Sequence, residues 1–288
     1  MTTTIRASSL PSFADCPRRF AANMLLKEIN EIGYGLQRDM LKSVGASIGT
    51  ATHGGAAYIM TEKMKSGELG NKTESDQRAL EDFTTAMQEG VLWDDTTPNT
   101  NDATKQVLRM VHAFRTYLAP DIIPVAVERR LIADIGDGFV LSGQSDMQVI
   151  EPDWIRDLKT GRMQRTHYAQ LGAYSLLART VHPEQIVKGV CVDFIPRASM
   201  KKPQPEPIIE QYNQVVAEQS AASTLSQIKA NVYEFRRRIE VGDAPPEHAF
   251  LANPGSMLCN PKFCSAHGTN WCREHKKVII KPQPKEIL

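Results

Sequence analysis

The sequence is short of net charge. Thirty-four Lys and Arg residues face thirty-three Asp and Glu residues, which leaves +1. That near-balance excludes a chain that holds nucleic acid by bulk charge, although a locally basic groove remains compatible with it. Long apolar runs are missing too: nothing approaches the roughly 18 residues that a membrane-spanning helix needs. The N-terminal stretch MTTTIRASSLPSF has no apolar segment of the kind a secretory signal carries, so a cytoplasmic protein that does not engage a membrane is expected. Internal repeats and low-complexity tracts are absent. Five cysteines, unevenly placed, do not make a disulfide framework in a compartment that keeps thiols reduced. Disordered and collagen-like classes are excluded by composition, since 41% of the 288 residues are hydrophobic and 23% charged. That length suits one large domain or two small ones with a sizeable core.

What is present changes pattern along the chain. Helical spacing is expected over 8–32, 46–66, about 74–93 and 102–118, the last carrying Leu108, Val111, Phe114, Tyr117 and Leu118 on one side. A turn-rich loop, DDTTPNTND, separates the last two. Residues 122–134, 139–150 and 154–159 are short, apolar and β-branched. The dividers Gly136-Asp137-Gly138 and Glu151-Pro152-Asp153 make them a three-strand meander. A helix over 166–180 and a strand over 186–195 come next. A loop with four prolines (196–207) then leads to an edge strand at 207–212 and a long helix over 213–241. A helix that links two strands of one sheet requires a crossover, so the fold class is α/β with a mixed central sheet flanked by helices. The boundaries are a single domain over 1–241 (helical region 8–120, sheet core 121–212, long helix 213–241) and a Cys-rich tail over 242–288.

The chemistry concentrates between residues 128 and 174. Asp157 and Lys159 stand at i and i+2 of one strand, hence on one face of the sheet. Asp146, on the preceding strand, can lie opposite or diagonal to Asp157. Two carboxylates and a lysine on one face suit a solvated salt-bridge cluster or a site for a hard divalent cation, and spacing alone leaves both open. Glu128 lies on the first strand of the meander. Gln170 and Tyr174 share a face of the next helix at i, i+4. His53 sits among small residues, Gly49-Thr50-Ala51-Thr52-His53-Gly54, that admit close approach of another backbone. From Glu151 to Lys202 nine basic residues outnumber five acidic ones, a surplus that by itself reads as a solvated face.

Taken in order, these pieces resemble the PD-(D/E)XK nuclease superfamily, and within it the RecB-like exonucleases of CRISPR adaptation and phage recombination. The matching pieces are Ser9 with Cys16-Pro17-Arg18-Arg19-Phe20, Gly49 with His53, Glu128, Gly143 with Asp146, Asp157-Leu158-Lys159-Thr160-Gly161, and Gln170-Leu171-Gly172-Ala173-Tyr174. The resemblance implies a metal-dependent DNA exonuclease on a restriction-endonuclease-like core, cutting phosphodiesters with Mg2+ or Mn2+ in recombination, repair or phage DNA metabolism. It implies that His53, Asp146, Asp157 and the backbone carbonyl of Leu158 bind metal. Lys159 would activate water and stabilise charge on the phosphate, and Glu128 would hold a second metal or its water. Gln170 and Tyr174 would position DNA and the lysine. An imidazole among the ligands makes the set softer than an all-oxygen one and favours manganese. The implied partners are DNA ends, single-stranded or on resected duplex, and a recombination protein, in the cytoplasm of a bacterial or phage-infected cell.

Cys259, Cys264 and Cys272 crowd into fourteen residues of the tail, far from Cys16, and clustered cysteines read first as metal ligands. Some RecB-like nucleases resemble this arrangement, one cysteine before the core and three after it holding a [4Fe-4S] cluster that ties the ends together. The C-x4-C-x7-C spacing is wider than the C-x2-C-x5-C expected there, so a zinc site with His267 or His275, and free buried thiols, stand as alternatives. Cys191, inside an apolar strand, reads as core. An endonuclease on the same core, a catalytically idle DNA-binding or docking module and a structural zinc protein are the competing functions.

Overall fold

The computed structural model describes residues 2–37, 40–149, 153–162, 166–184 and 186–273. The chain divides into two compact units. The first comprises residues 1–11 and 41–229, the second 12–40 and 230–288. The division therefore falls inside the long C-terminal helix, at 229/230, and places 12–40 with the tail.

The first unit is built on a mixed sheet. Its strands are β1 (Thr3–Arg6), β4 (Pro124–Asp134), β5 (Phe139–Val149), β6 (Trp154–Gly161), β7 (Gly189–Pro196) and β8 (Ile208–Tyr212). β4, β5 and β6 form the expected antiparallel meander. α7 (Tyr168–Val181) then crosses over so that β7 pairs parallel to β6, and β8 closes the edge antiparallel to β7. β4 runs along the whole of one side of β5. The other side is therefore shared by β1, parallel over Phe139–Ser142, and β6, antiparallel at Met147 and Gln148. Among the described residues no sheet partner covers residues 143–146 on that side.

Two helices, α4 (Val44–Ser66) and α6 (Thr100–Ala113), pack against the sheet, and α5 (Lys72–Gln88) packs on both of them. Their shared core joins Val44, Ile48, Ile59, Phe83, Met110 and Phe114 to Met147, Leu158 and Ile195 of the strands. α4 begins where Ser43 Oγ accepts from Ala46 N at 3.2 Å and ends at Gly67 in the left-handed region, the usual start and stop devices. The helix expected over 74–93 stops at Gln88, because Gly90 turns with φ 83. Beyond it β3 (Val91–Leu92) pairs with β2 (Lys42–Ser43). α6 runs into a π turn at Phe114–Leu118 before the strand region.

The helix expected over 8–32 is three short ones: α1 (Leu10–Asp15), α2 (Pro17–Met24) and α3 (Leu26–Glu31). Proline disfavours a helical conformation in the residue before it, and Cys16 is extended at φ −155, ψ 98, so the chain breaks and restarts at Pro17. In the second unit Arg18 Nε donates to Phe250 O at 3.1 Å. Trp271 Nε1 donates to Arg18 O at 3.1 Å, and Asn253 Nδ2 donates to Asp15 O at 2.8 Å. α8 (Gln214–Val241) belongs to both units.

α7 is buried along most of its length, and Gly172 marks where α8 crosses it. A Cβ there would stand 1.9 Å from Ala217 O, a backbone atom that cannot move aside alone. Gly172→Ala is expected to lower stability by about 1–3 kcal/mol or more through overpacking, although alanine is the better helix former. Urea denaturation checks this, and an unchanged or higher midpoint would contradict the close crossing.

Candidate active site

The uncovered edge of β5 is where the chemistry gathers. Register continued past Met147↔Arg156 would set Asp146 opposite Asp157, but the two strands part there. Asp146 Oδ2 instead accepts from Leu158 N at 2.6 Å, a side chain standing in for a ladder partner. Its other oxygen meets His53 Nδ1 at 3.2 Å. On the far side of β5, the pairs Val127↔Met147 and Arg129↔Ser145 set Glu128 opposite Asp146. Glu128 is non-glycine at φ 52, a costly conformation in a strand, and Gln144 Nε2 donates to its carboxylate. The donor atoms of His53, Glu128 and Asp146 lie within 4.8 Å of one another, the sole such trio of His, Cys, Asp or Glu among the described residues.

Asp157 lies on the neighbouring strand, buried, with Lys159 Nζ 2.6 Å from its Oδ2. Gln170 Nε2 lies 3.3 Å from Asp157 Oδ1 and 2.9 Å from Tyr174 Oη. α4 comes near enough to deliver His53 because Gly49 lies over Thr160, whose Oγ1 would be 2.7 Å from a Cβ at that position. The close neighbour at Gly49 is thus a side chain and not the backbone the sequence suggested.

Charge is unevenly shared. Burial opposes ionisation of Asp146, but the charge and hydrogen bond of His53, the Lys159 ammonium and the Leu158 N–H outweigh it and hold the carboxyl below its ordinary value. Burial and the Asp146 charge push Asp157 up to about 6 despite Lys159. Burial works against the charged imidazole of His53, yet Asp146 raises its pKa. Burial, then Asp146, raises Glu128 as well. Carboxylates with opposed shifts crowded onto one imidazole and one ammonium make a site that favours added positive charge, which fits a divalent cation.

The trio opens into a groove of about 1260 Å3, lined among others by Thr50, His53, Asp146, Lys159, Arg162 and Arg197. Gln170 and Tyr174 are buried and do not line it; their placement addresses Asp157. Leu158 engages the site through its N–H. Of the basic surplus over 151–202, Lys159, Arg162 and Arg197 face the groove, joined by Lys65 and Arg78, which the sequence did not single out. Arg197 is buried and clasps Asp94, with Nη2 to Oδ2 at 2.6 Å, fixing one wall. Adjacency was the available signal for Arg162, which directly follows Asp157-Leu158-Lys159-Thr160-Gly161.

All four cysteines outside the sheet belong to the second unit. Cys16, Cys264 and Cys272 are buried and Cys259 is half-buried. Burial pushes the Cys272 thiol up to about 12, with Cys264, Cys16 and Cys259 all close enough to add to the effect. His267 is half-buried beside Cys264, and its N–H donates to Cys264 O at 3.1 Å. His275 lies outside the described residues. Cys191 is buried in β7 of the first unit.

Comparison with known proteins bears on the family and the fold. The family described as the PD-(D/E)XK nuclease superfamily matches residues 4–273. A solved structure from Eubacterium rectale, described as a "Putative exonuclease", aligns over 98% of this chain and 91% of its own at 12% identity and a TM-score of 0.53, a likeness of fold. Another, described as SSO0001, covers 77% of this chain and 93% of its own at 11% identity. Its TM-score of 0.26 carries no argument. No curated protein matches the chain.

Two outcomes are expected. Mn2+ added to chelator-treated protein should raise the melting temperature, by about 2.7 kcal/mol of stabilisation at a hundred times its Kd, and Asp146→Asn should lose most of that gain. Absence of any shift in the wild type would sink the metal site. The second concerns pH without metal. Asp157 rises from 3.8 to about 6 on folding, so its proton favours the folded state. That contribution is full below pH 3.8 and is lost as pH climbs through 6. His53, raised above 6.5, acts in the same sense at higher pH. Unfolding free energies measured from pH 4 to 7 should decline in the wild type and decline less in Asp157→Asn; parallel curves would contradict the shift.

Proposed function

The chain belongs to the PD-(D/E)XK nuclease superfamily, and from that premise we propose that it is a divalent-metal-dependent deoxyribonuclease of the RecB-like exonuclease group, hydrolysing phosphodiester bonds at DNA ends. The observation that carries this reading is the convergence of His53, Glu128 and Asp146 donor atoms within 4.8 Å, next to the Lys159–Asp157 pair.

His53, Asp146 and Asp157, with the Leu158 carbonyl, would hold Mg2+ or, given the imidazole, preferably Mn2+, while Glu128 would serve a second ion or its water. The bound ion supplies Lewis acidity and makes water easier to deprotonate. Lys159 is a compact point charge suited to a phosphate oxygen, where it offsets the charge that develops during in-line attack. Asp157 keeps that ammonium in place at 2.6 Å, and Gln170, braced by Tyr174, keeps Asp157 in place. Arg78, Arg162 and Lys65 along the groove would meet flanking phosphates without reading sequence.

Exonuclease action is favoured by the presence of His53 beside the metal carboxylates together with the glutamine–tyrosine helix. The substrate would be a single-stranded or resected end, handled in recombination, repair or phage DNA metabolism with a recombination protein as partner. None of the described helices is long and apolar enough to cross a membrane, and a cytoplasmic setting follows from this reading.

We also assign a [4Fe-4S] cluster to Cys16, Cys259, Cys264 and Cys272. The four lie in one unit as electrostatic neighbours; three of them are buried, and burial drives up the thiols of Cys264 and Cys272.

Lys159→Ala and Asp157→Ala should each reduce cleavage by on the order of 10²-fold or more while leaving the fold intact by circular dichroism. Turnover at the wild-type rate in either would remove the proposed site. With Mn2+ present, end-labelled linear DNA should be degraded and covalently closed circular DNA spared. Equal cutting of both would make the enzyme an endonuclease.

A further inference from the structure

Two arginines follow Cys16-Pro17, and both are buried: Arg18 is 3% and Arg19 7% exposed. A buried guanidinium is costly unless its donors are used. Arg19 Nη2 donates to Asp15 Oδ2 at 2.7 Å, and the same oxygen accepts from Ser256 Oγ at 2.7 Å. One carboxylate thus orients Arg19 and anchors the segment that carries Cys259 and Cys264. Arg19 Nη1 is buried and has no hydrogen-bond partner among the described residues. An unsatisfied buried donor costs about 1–3 kcal/mol and calls for an acceptor. Because the guanidinium is planar and Nη2 is pinned, the direction of Nη1 is set. The carboxylate that pins Nη2 belongs to the residue just before Cys16, and Ser256 on the same oxygen stands three residues before Cys259, so Nη1 is held between the two segments that carry these cysteines.

We propose that Arg19 is a positioning residue for the cysteine-bound centre, its Nη1 donating a hydrogen bond to a sulfur of the iron–sulfur cluster and thereby raising the cluster's reduction potential. This rests on the cluster assigned above. A four-iron cluster bound by four thiolates is an anion and gains one more negative charge when it takes up one electron. No bond forms or breaks in that step. A fixed cation that donates to a cluster sulfur favours the more negative form, and hydrogen bonds to sulfur and local charge are among the levers that set such potentials.

The test uses the full chain purified without oxygen as wild type, Arg19→Gln and Arg19→Lys, with iron and acid-labile sulfide measured in each. Dithionite supplies the electron in a potentiometric titration followed by electron paramagnetic resonance. Arg19→Gln should be harder to reduce, by about tenfold in the reduced-to-oxidised ratio, which is about 59 mV for one electron. Arg19→Lys, which keeps the charge, should fall between it and the wild type. Loss of iron from Arg19→Gln with retention in Arg19→Lys also supports the proposal. An unchanged potential in fully loaded Arg19→Gln overturns it, as does loss of iron from both variants. A wild type without iron and sulfide, or with zinc in their place, overturns the cluster itself, a result distinct from an unchanged potential in loaded protein.

Discussion

Between Ser142, which pairs with Arg6, and Met147, which pairs with Arg156, one edge of β5 has no strand beside it among the described residues. Backbone groups at such a gap must find partners elsewhere or remain wet. The Leu158 N–H finds the Asp146 carboxylate, so one side chain both braces the parted strands and presents its second oxygen to His53. The site is therefore a consequence of how the sheet is assembled. β1 is four residues long and ends at Arg6, β6 joins the same edge only at Met147, and the stretch between them is free to carry ligands where a continuous ladder would carry strand partners.

Holding charges in that gap requires a stiff surround. Asp157 is buried, and an unpaired buried carboxylate would cost several kcal/mol. Lys159 pays that cost on one side and Gln170 satisfies the other oxygen. One residue earlier on β6, Arg156 reaches across to Asp193 of β7 through two bonds, Nη2 to Oδ1 at 2.6 Å and Nε to Oδ2 at 2.9 Å, with the Asp193 side chain fully covered. That bidentate clamp fixes β6 against β7 at the level of Asp157 and Lys159. Asp146 and Asp157 are driven in opposite directions, one kept ionised and the other held near 6, a separation that enzymes use to give two carboxylates different tasks.

The sequence made legible what depends on period and on punctuation. The meander, the crossover helix, the central strand at 189–196 and the edge strand at 208–212 follow from alternation, β-branching and the Gly and Pro dividers. The convergence of His53 with Asp146 was legible only through the ordered resemblance, because ninety-odd residues separate them and no local rule connects them. β1 was not legible. Four residues at the start of a chain give too little period to recognise, yet that strand defines one end of the gap. Nor was the break at Cys16 anticipated, although Pro17 supplies its physical reason. Arg197 was hidden for a different cause: in sequence it is one basic residue beside prolines, and only folding brings it to Asp94, over a hundred positions away.

The second unit solves a stability problem by other means. Its aromatic centre is compact, with Trp271 meeting Tyr34 at 5.1 Å and Phe235 at 5.8 Å between ring centroids. From Leu251 to Asn270, however, the chain is a succession of turns that buries little besides Cys264 and Ala266 and bonds mainly to itself. Such a segment gains little from the hydrophobic effect, and ordering it costs about 1–2 kcal/mol per residue in backbone entropy. Direct bonds between this stretch with its flanks and α1 and its neighbour are few among the described residues: Asn253 and Ser256 to Asp15, Arg18 to Phe250 and Leu251, and Trp271 to Arg18. The proposed coordination by cysteines from both ends of the chain would add free energy where burial cannot, since in small metal-bound units the binding energy becomes folding energy. Such a centre would account for three cysteines standing in the least regular part of the described chain and the fourth at the N-terminus of α2, where Pro17 has already forced the backbone out of helix.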